Sequence, residues 1–294
     1  MLRRQTPIKG IPAGHGPAAV PVALSVVLPC YRAAPLARQS VARLAHALSG
    51  RVATYEIIVV DDGAGDCASA IGSMTPGRGA TIRVITLPEN RGKGAAVSEG
   101  MRAASGAVRV FTDIDLPYGT TPIMLINSLV RDRGFHMVIG DRTFPQSRYE
   151  SDLSLGRRAA AAVFSRFTSM FVTGGFSDTQ CGLKGFRGDV AEALFGLQTV
   201  NRFAFDVELI SVALKHGLEI KRIPVMLEAN LTSSVRLGPD SLQTLMDITR
   251  IKLNHMRGVY TNNHLSTLVA RECAAASAPL KTPVISHSAF RAPA

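Results

Sequence analysis

The chain contains no tryptophan, and aromatic residues make up only 6% of its 294 positions. Four cysteines, Cys30, Cys67, Cys181 and Cys273, lie far apart, with no CxxC pair and no metal-ligand spacing. That pattern excludes a zinc module and predicts the reduced thiols of a cytosolic protein. No apolar run approaches the roughly 18 residues that span a bilayer. The opening stretch, MLRRQTPIKGIPAGHGPAAVP, lacks the apolar core of a secretory signal. The expected location is therefore cytoplasmic, peripheral on the membrane face at most. GxGxxG and GxxxxGK[ST] are both missing, so the common dinucleotide and P-loop readings lose ground. Acidic residues are absent from residues 1–55, which carry seven Lys/Arg, and residues 248–294 are also basic, whereas the body between is nearly neutral. The net charge of +11 is thus a property of the ends. Without a recognition motif or interleaved aromatics it does not point to nucleic acid. Basic ends suit either an anionic membrane surface or simple solubility.

What is present is a globular composition, 46% hydrophobic and 19% charged, long enough for a sizeable core. Residues 1–22 are Pro/Gly-rich and basic and are expected to be a disordered leader. Leu24–Leu28, Glu56–Val60, Ile82–Leu87 and Val108–Thr112 are near-continuous apolar runs, read as buried strands. Helical patterns lie between them, from Pro35 to about Leu48 and from Lys93 to about Ala104. Alternation of this kind predicts an α/β fold with a mostly parallel, Rossmann-like sheet and helices on both faces. Ligands of such sheets bind outside the carboxyl ends of the strands.

Three of those ends carry polar chemistry. Pro29-Cys30-Tyr31 ends the first, Asp61-Asp62-Gly63 the second, and Asp113-Ile114-Asp115 the fourth. In extended backbone the two acids of Asp-x-Asp share one face, where they can hold a divalent cation together with substrate phosphates. After the third strand, Asn90-Arg91-Gly92-Lys93-Gly94 opens a helix whose amides and lysine can meet an anion.

In this order, PCYR, VVDDG, NRGKGAA and DID resemble the nucleotide-binding half of family-2 glycosyltransferases of the GT-A fold. The second half, with DTQCGLK from Asp178 to Lys184, FDVE from Phe205 to Glu208 and SSVR from Ser233 to Arg236, is similar to dolichyl- and polyprenyl-phosphate sugar transferases, most closely the dolichyl-phosphate β-glucosyltransferase type. The resemblance covers about residues 23–255. It implies a GT-A domain over 23–258, with a nucleotide-sugar half (23–116), an acceptor half (117–258) and a loose tail over 259–294. It also implies an inverting hexosyltransferase that uses a nucleotide-sugar such as UDP-glucose, with Mg²⁺ or Mn²⁺, to glycosylate a polyprenyl phosphate. Alternatives are a GDP-mannose donor, a soluble acceptor, or a nucleotide-sugar-binding module without catalysis.

Carried over by position, Pro29, Tyr31, Asp61 and Asp62 hold base and ribose, with Asn90, Arg91 and Lys93 completing that side. Asp113 and Asp115 serve the metal and diphosphate. Arg142, Arg157, Arg158 and Lys184 are placed for phosphates, Asp178 matches the family's candidate base, and Glu208 is a further acceptor-side residue. The family's usual Asn-Glu after the tyrosine is Arg32-Ala33 here, which leaves donor identity open. Asp206 and Glu208 can alternatively serve only the first turn of a helix, where acids are favoured. Leu155–Phe171 and Leu242–Met256 pattern as amphipathic helices with basic residues; each can pack on the core or lie in a headgroup plane.

Overall fold

The computed structural model describes residues 21–147, 176, 178–228 and 239–276. Arg157, Arg158, the SSVR motif and the amphipathic stretch 155–171 lie outside the described residues, as do residues 1–20 of the expected leader.

The described chain runs β1 (Leu24–Cys30), α1 (Ala34–Leu48), β2 (Tyr55–Asp61), α2 (Cys67–Ile71), β3 (Ala80–Thr86), α3 (Lys93–Ala103), β4 (Val108–Thr112), α4 (Thr121–Arg133), β5 (Met137–Asp141), β6 (Leu183–Arg187), α5 (Gly188–Leu197), α6 (Phe205–Lys215), β7 (Ile220–Pro224), α7 (Pro239–Met256) and α8 (Asn263–Ala276). The four expected strands are all present. They form one seven-stranded sheet in the order β3-β2-β1-β4-β6-β5-β7. Every pairing is parallel except those of β6, which runs antiparallel to β4 and β5.

Alternation along β1 shows how the sheet is covered on both faces. Val26 and Leu28 join one core with Val41 and Leu44 of α1, Ile71 of α2 and Ile126 of α4. Val27 joins the other, with Val97 and Met101 of α3, Val190 of α5 and Ile210 of α6. Successive strand side chains point to opposite faces, so an all-apolar strand needs helices on both sides. Phe111 packs with Phe186, Phe195 and Phe205 in the second core, with ring centroids 5.7–6.4 Å from its own.

The expected loose tail is corrected in part. Tyr260 and Leu265 are fully buried and α8 docks on the body, where Arg187 Nη1 donates to Glu272 Oε1 at 2.7 Å. That bond joins residues 85 apart in sequence, and no local pattern encodes it. Residues 277–294 lie outside the described residues.

Candidate active site

A cavity of about 570 Å³ opens at the carboxyl ends of β1, β2 and β4, within the size range of small-molecule sites. Pro29, Tyr31, Asp62, Asn90, Lys93, Asp113, Asp115 and Arg142 all line it. Eight residues named from sequence therefore converge in space, because the parallel strands end along one edge. A second cavity of about 590 Å³ lies against α8, lined by Arg187, Asp189 and Glu272 among others. Its arginine is already paired with both of those acids. The residues named from sequence line the strand-end cavity instead.

Two of its corners are strained. Arg32 and Leu116 are the non-glycine residues at positive φ among those described, 53° and 49°. Left-handed backbone costs a side-chain-bearing residue on the order of 1–2 kcal/mol. Each follows directly on a motif residue, Tyr31 or Asp115. Tyr31 stays 43% exposed at the rim, with the Arg32 guanidinium 5.0 Å above its ring.

The Asp-x-Asp pair is held tightly. Asp113 forms an ion pair with Lys93 and presses against Gly182, where an added Cβ would fall 2.0 Å from Asp113 Oδ2. Burial works against the Lys93 ammonium, but Asp113, with Asp206 behind it, outweighs burial and raises its pKa. Asp115 has the opposite problem. Burial, then the Asp113 charge, push its pKa above the usual carboxylate value, and its Oδ1 is buried without a hydrogen-bond partner. Two carboxylates in one cavity, one of them with an orphaned buried oxygen, fit a divalent cation. Asp61, Asp66 and Cys67 also bring three ligand atoms within 4.8 Å of one another. There, however, the amides of Ala64 and Cys67 donate to the two oxygens of Asp61 at 2.8 and 3.0 Å. Burial opposes the Asp61 charge, yet these amides win and hold its pKa low. That cluster is built as a loop tie.

Several sequence assignments change once side chains are placed. Asp61 is fully buried and does not line the cavity; it shapes the loop after β2. Asp62 lines the cavity, but its oxygens accept the amides of Arg91 and Gly92 at 2.8 and 2.9 Å. The Asn201 carbonyl accepts from Ala95 N at 2.9 Å. The amides of Arg91, Gly92 and Ala95 are thus used within the protein, and the Lys93 side chain lines the cavity. Gly92, at φ 100°, is required there, since a Cβ would meet the Asn201 oxygen at 2.8 Å. The exposed Arg91 side chain stands outside the cavity lining.

After β5, Arg142 Nε and Nη2 donate to Asp178 Oδ2 and Oδ1 at 2.8 and 2.7 Å, and the Arg142 amide adds a third bond at 2.8 Å. Burial opposes the Asp178 charge, but Arg142 holds its pKa below the ordinary range. Asp178 is in this state a clamp on Arg142 and a weak base. Lys184 is not a phosphate ligand here. It is fully buried, donates to the Cys181 carbonyl at 2.7 Å, pairs with Asp206 and sits 5.5 Å above the Phe111 ring. Glu208 is likewise turned inward. Thr199 N and Oγ1, Val200 N and the Tyr260 hydroxyl donate to its carboxylate at 2.6–3.1 Å. Asp206 and Glu208 do stand in the first turn of α6, as the helix reading expected, but both are buried.

Tyr118, Arg202, Phe203 and Leu227 also line the cavity and carried no sequence signal of a site. Arg202 and Phe203 reach the cavity from the loop between α5 and α6, which Glu208 fastens. Arg202 packs against Gly92 and Gly94, about 110 residues earlier, so only the fold brings them together.

Known proteins resemble this chain in sequence and fold. Residues 25–190 match the Glycosyl transferase family 2 domain. The dolichyl-phosphate beta-glucosyltransferase of Drosophila melanogaster is 33% identical over 69% of this chain and 66% of its own length. The human protein of that name is 29% identical over 70% of this chain and 66% of its own. Among solved structures, glucosyl-3-phosphoglycerate synthase from Mycobacterium tuberculosis, bound to Mn²⁺, UDP and glucosyl-3-phosphoglycerate, superposes with a TM-score of 0.56 at 19% identity, covering 79% of each chain. Mannosyl-3-phosphoglycerate synthase from Rubrobacter xylanophilus gives 0.58 at 16% identity, covering 92% of this chain and 80% of its own. These likenesses establish the GT-A fold. With its motifs gathered at one sheet edge and the family domain spanning more than half its length, the chain belongs to glycosyl transferase family 2.

Proposed function

We propose that this chain transfers a hexose from a nucleotide diphosphate sugar, UDP-glucose, to the phosphate of a polyprenyl lipid, with inversion at the anomeric carbon. The observation that carries the reading is the placement of Asp113 and Asp115 beside Lys93 and Arg142 in one strand-end cavity. Relatives named as dolichyl-phosphate beta-glucosyltransferases support the donor sugar and the acceptor class.

Tyr31 offers its ring to the base at the rim. Asp62 acts on the donor by fixing the turn that presents Asn90 and Lys93. Asp113 and Asp115 would hold Mg²⁺ or Mn²⁺, whose positive charge would offset the negative charge that builds on the leaving diphosphate. Lys93 and the Arg142 guanidinium add fixed positive charge to the same cavity, without reorganisation during the reaction. An acceptor phosphate oxygen forms the new bond to the anomeric carbon as the bond to the donor diphosphate breaks. A phosphate monoester has a second pKa near 6 and is largely dianionic at pH 7. It needs no proton removed, which fits an Asp178 spent on Arg142.

The test is a transfer assay with Mg²⁺, a panel of nucleotide-sugars and a short polyprenyl phosphate, following free nucleotide and glycolipid together. Glycolipid from one donor establishes class, donor and acceptor. Nucleotide release without glycolipid keeps the donor site and moves the acceptor to a soluble molecule. UDP binding without turnover overturns catalysis in favour of a binding module.

A further inference from the structure

The polarity of α7 is inside out. Its buried side carries Thr244, Asp247, Ile248, Ile251 and Asn254, three of them polar. Its outer side exposes Leu245 (46%), Met246 (52%), Leu253 (42%) and Met256 (77%). Single exposed apolar residues need no explanation, but clusters do. Five of the ten exposed large hydrophobic residues among those described fall between Leu245 and Val259.

Position on the helix sharpens this. At about 100° per residue, Leu245, Met256, Thr249, Leu253 and Met246 follow one another around a continuous arc of about 100°. Lys252 borders the arc on one side, and Arg250 and Arg257 border it on the other; all three are exposed. No acidic residue stands on the arc or its borders. A helix with an apolar centre and basic margins lies in the plane of an anionic bilayer, apolar groups in the acyl boundary and long cationic side chains reaching back to the headgroups.

We infer that the outer face of α7 is the membrane-docking surface of this protein, and that its partner is an anionic lipid bilayer. The inference rests in part on the lipid-phosphate reading above, which requires the cavity to meet a bilayer-borne acceptor. The inner face of α7 grips the loop that carries Arg202 and Phe203 into the cavity: Asn254 Nδ2 donates to Thr199 Oγ1 of that loop at 3.1 Å, and Thr199 is bound in turn to Glu208 of α6. A bilayer seated on α7 therefore lies one hydrogen-bonded relay from the donor site. Charge complementarity selects this occupant: a second copy would set these basic margins against each other.

The full chain is tested by flotation with vesicles of phosphatidylcholine alone or mixed with phosphatidylglycerol. Expected is flotation with the anionic vesicles only, weakened by added salt. Binding falls about tenfold in L253E/M256E and again in R250E/R257E, through the apolar and the electrostatic contribution respectively. Tm and UDP binding stay unchanged in both, which excludes misfolding. Lack of flotation by the parent chain, or flotation that the variants do not reduce, overturns the inference. A dimer seen in sedimentation and dissolved by L253E/M256E also overturns it, since the face then belongs to a second copy. Transfer to a short, water-soluble isoprenyl phosphate without vesicles reads the acceptor separately. Flotation without that transfer upholds the surface and removes the acceptor; transfer without flotation does the reverse.

Discussion

At the ends of β1, β2 and β4, charged residues face a cavity; on β6 and α6, residues of the same chemistry are turned into the core. Asp113 and Asp115 share a pocket with Lys93, and Asp115 keeps a buried oxygen unpartnered. Lys184, Asp206 and Glu208 satisfy one another, backbone amides and Tyr260. The strand-end edge gives up stability to hold an unsatisfied site, while the other side uses charge as internal scaffolding. The Arg142–Asp178 pair stands between them, one member lining the cavity and the other locked behind it.

Substitutions can break this contrast. The largest effect is expected for Asp115→Asn, which should lower kcat/KM about 10³-fold, roughly 4 kcal/mol of transition-state stabilisation. Because the folded pKa of Asp115 is raised, its carboxylate costs stability at neutral pH. The same variant should therefore melt about 2 °C higher without metal. A melt that falls instead would show Asp115 to be structural.

Lys184→Ala should act the opposite way, costing about 3–5 kcal/mol in denaturant unfolding by leaving Asp206 buried and alone. Replacing the pair together, Lys184→Met with Asp206→Leu, should recover most of that loss. If the single variant is stable but cannot use phosphate acceptors, Lys184 belongs to the site.

Asp178→Asn is expected to be milder than Asp115→Asn, about 10²-fold in kcat/KM, or near 2.7 kcal/mol, through loosened Arg142. Greater damage than Asp115→Asn would point to a hydroxyl acceptor that needs a base.

Acid should separate the two carboxylates. As pH falls, protons compete with the cation first at Asp115, whose pKa is raised, so titrated metal affinity drops early. Asp178 has a depressed pKa, so its pairing with Arg142 contributes fully above the unfolded value of about 3.9. That contribution is lost only as pH falls from there through the folded value. Simultaneous loss of metal affinity and of this stability would contradict the distinction.

The smallest effect is expected for Tyr260→Phe, which removes one of the donors to Glu208. It should cost about 1 kcal/mol of stability and raise the donor KM modestly, because Glu208 holds the loop bearing Arg202 and Phe203.

Apolar patterning in the sequence was enough to place the first four strands and the edge where their polar ends gather. Continuous apolar runs admit few other structures, and in a parallel sheet the residues at their carboxyl ends must lie side by side. It therefore placed Pro29, Tyr31, Asp62, Asn90, Lys93, Asp113 and Asp115 along one edge, and the family resemblance added Arg142 to them. Tertiary structure alone decided which acids and bases face that site. Lys184 and Glu208 look like ligands in one dimension, since charge is legible there and direction is not. Their burial is fixed by Asp206, Phe111, Thr199 and Tyr260, up to 73 positions away, and docking of α8 depends on an ion pair spanning 85. Arg202 and Phe203 entered the cavity the same way, carried by a loop whose position depends on contacts between distant segments and not on any motif of its own.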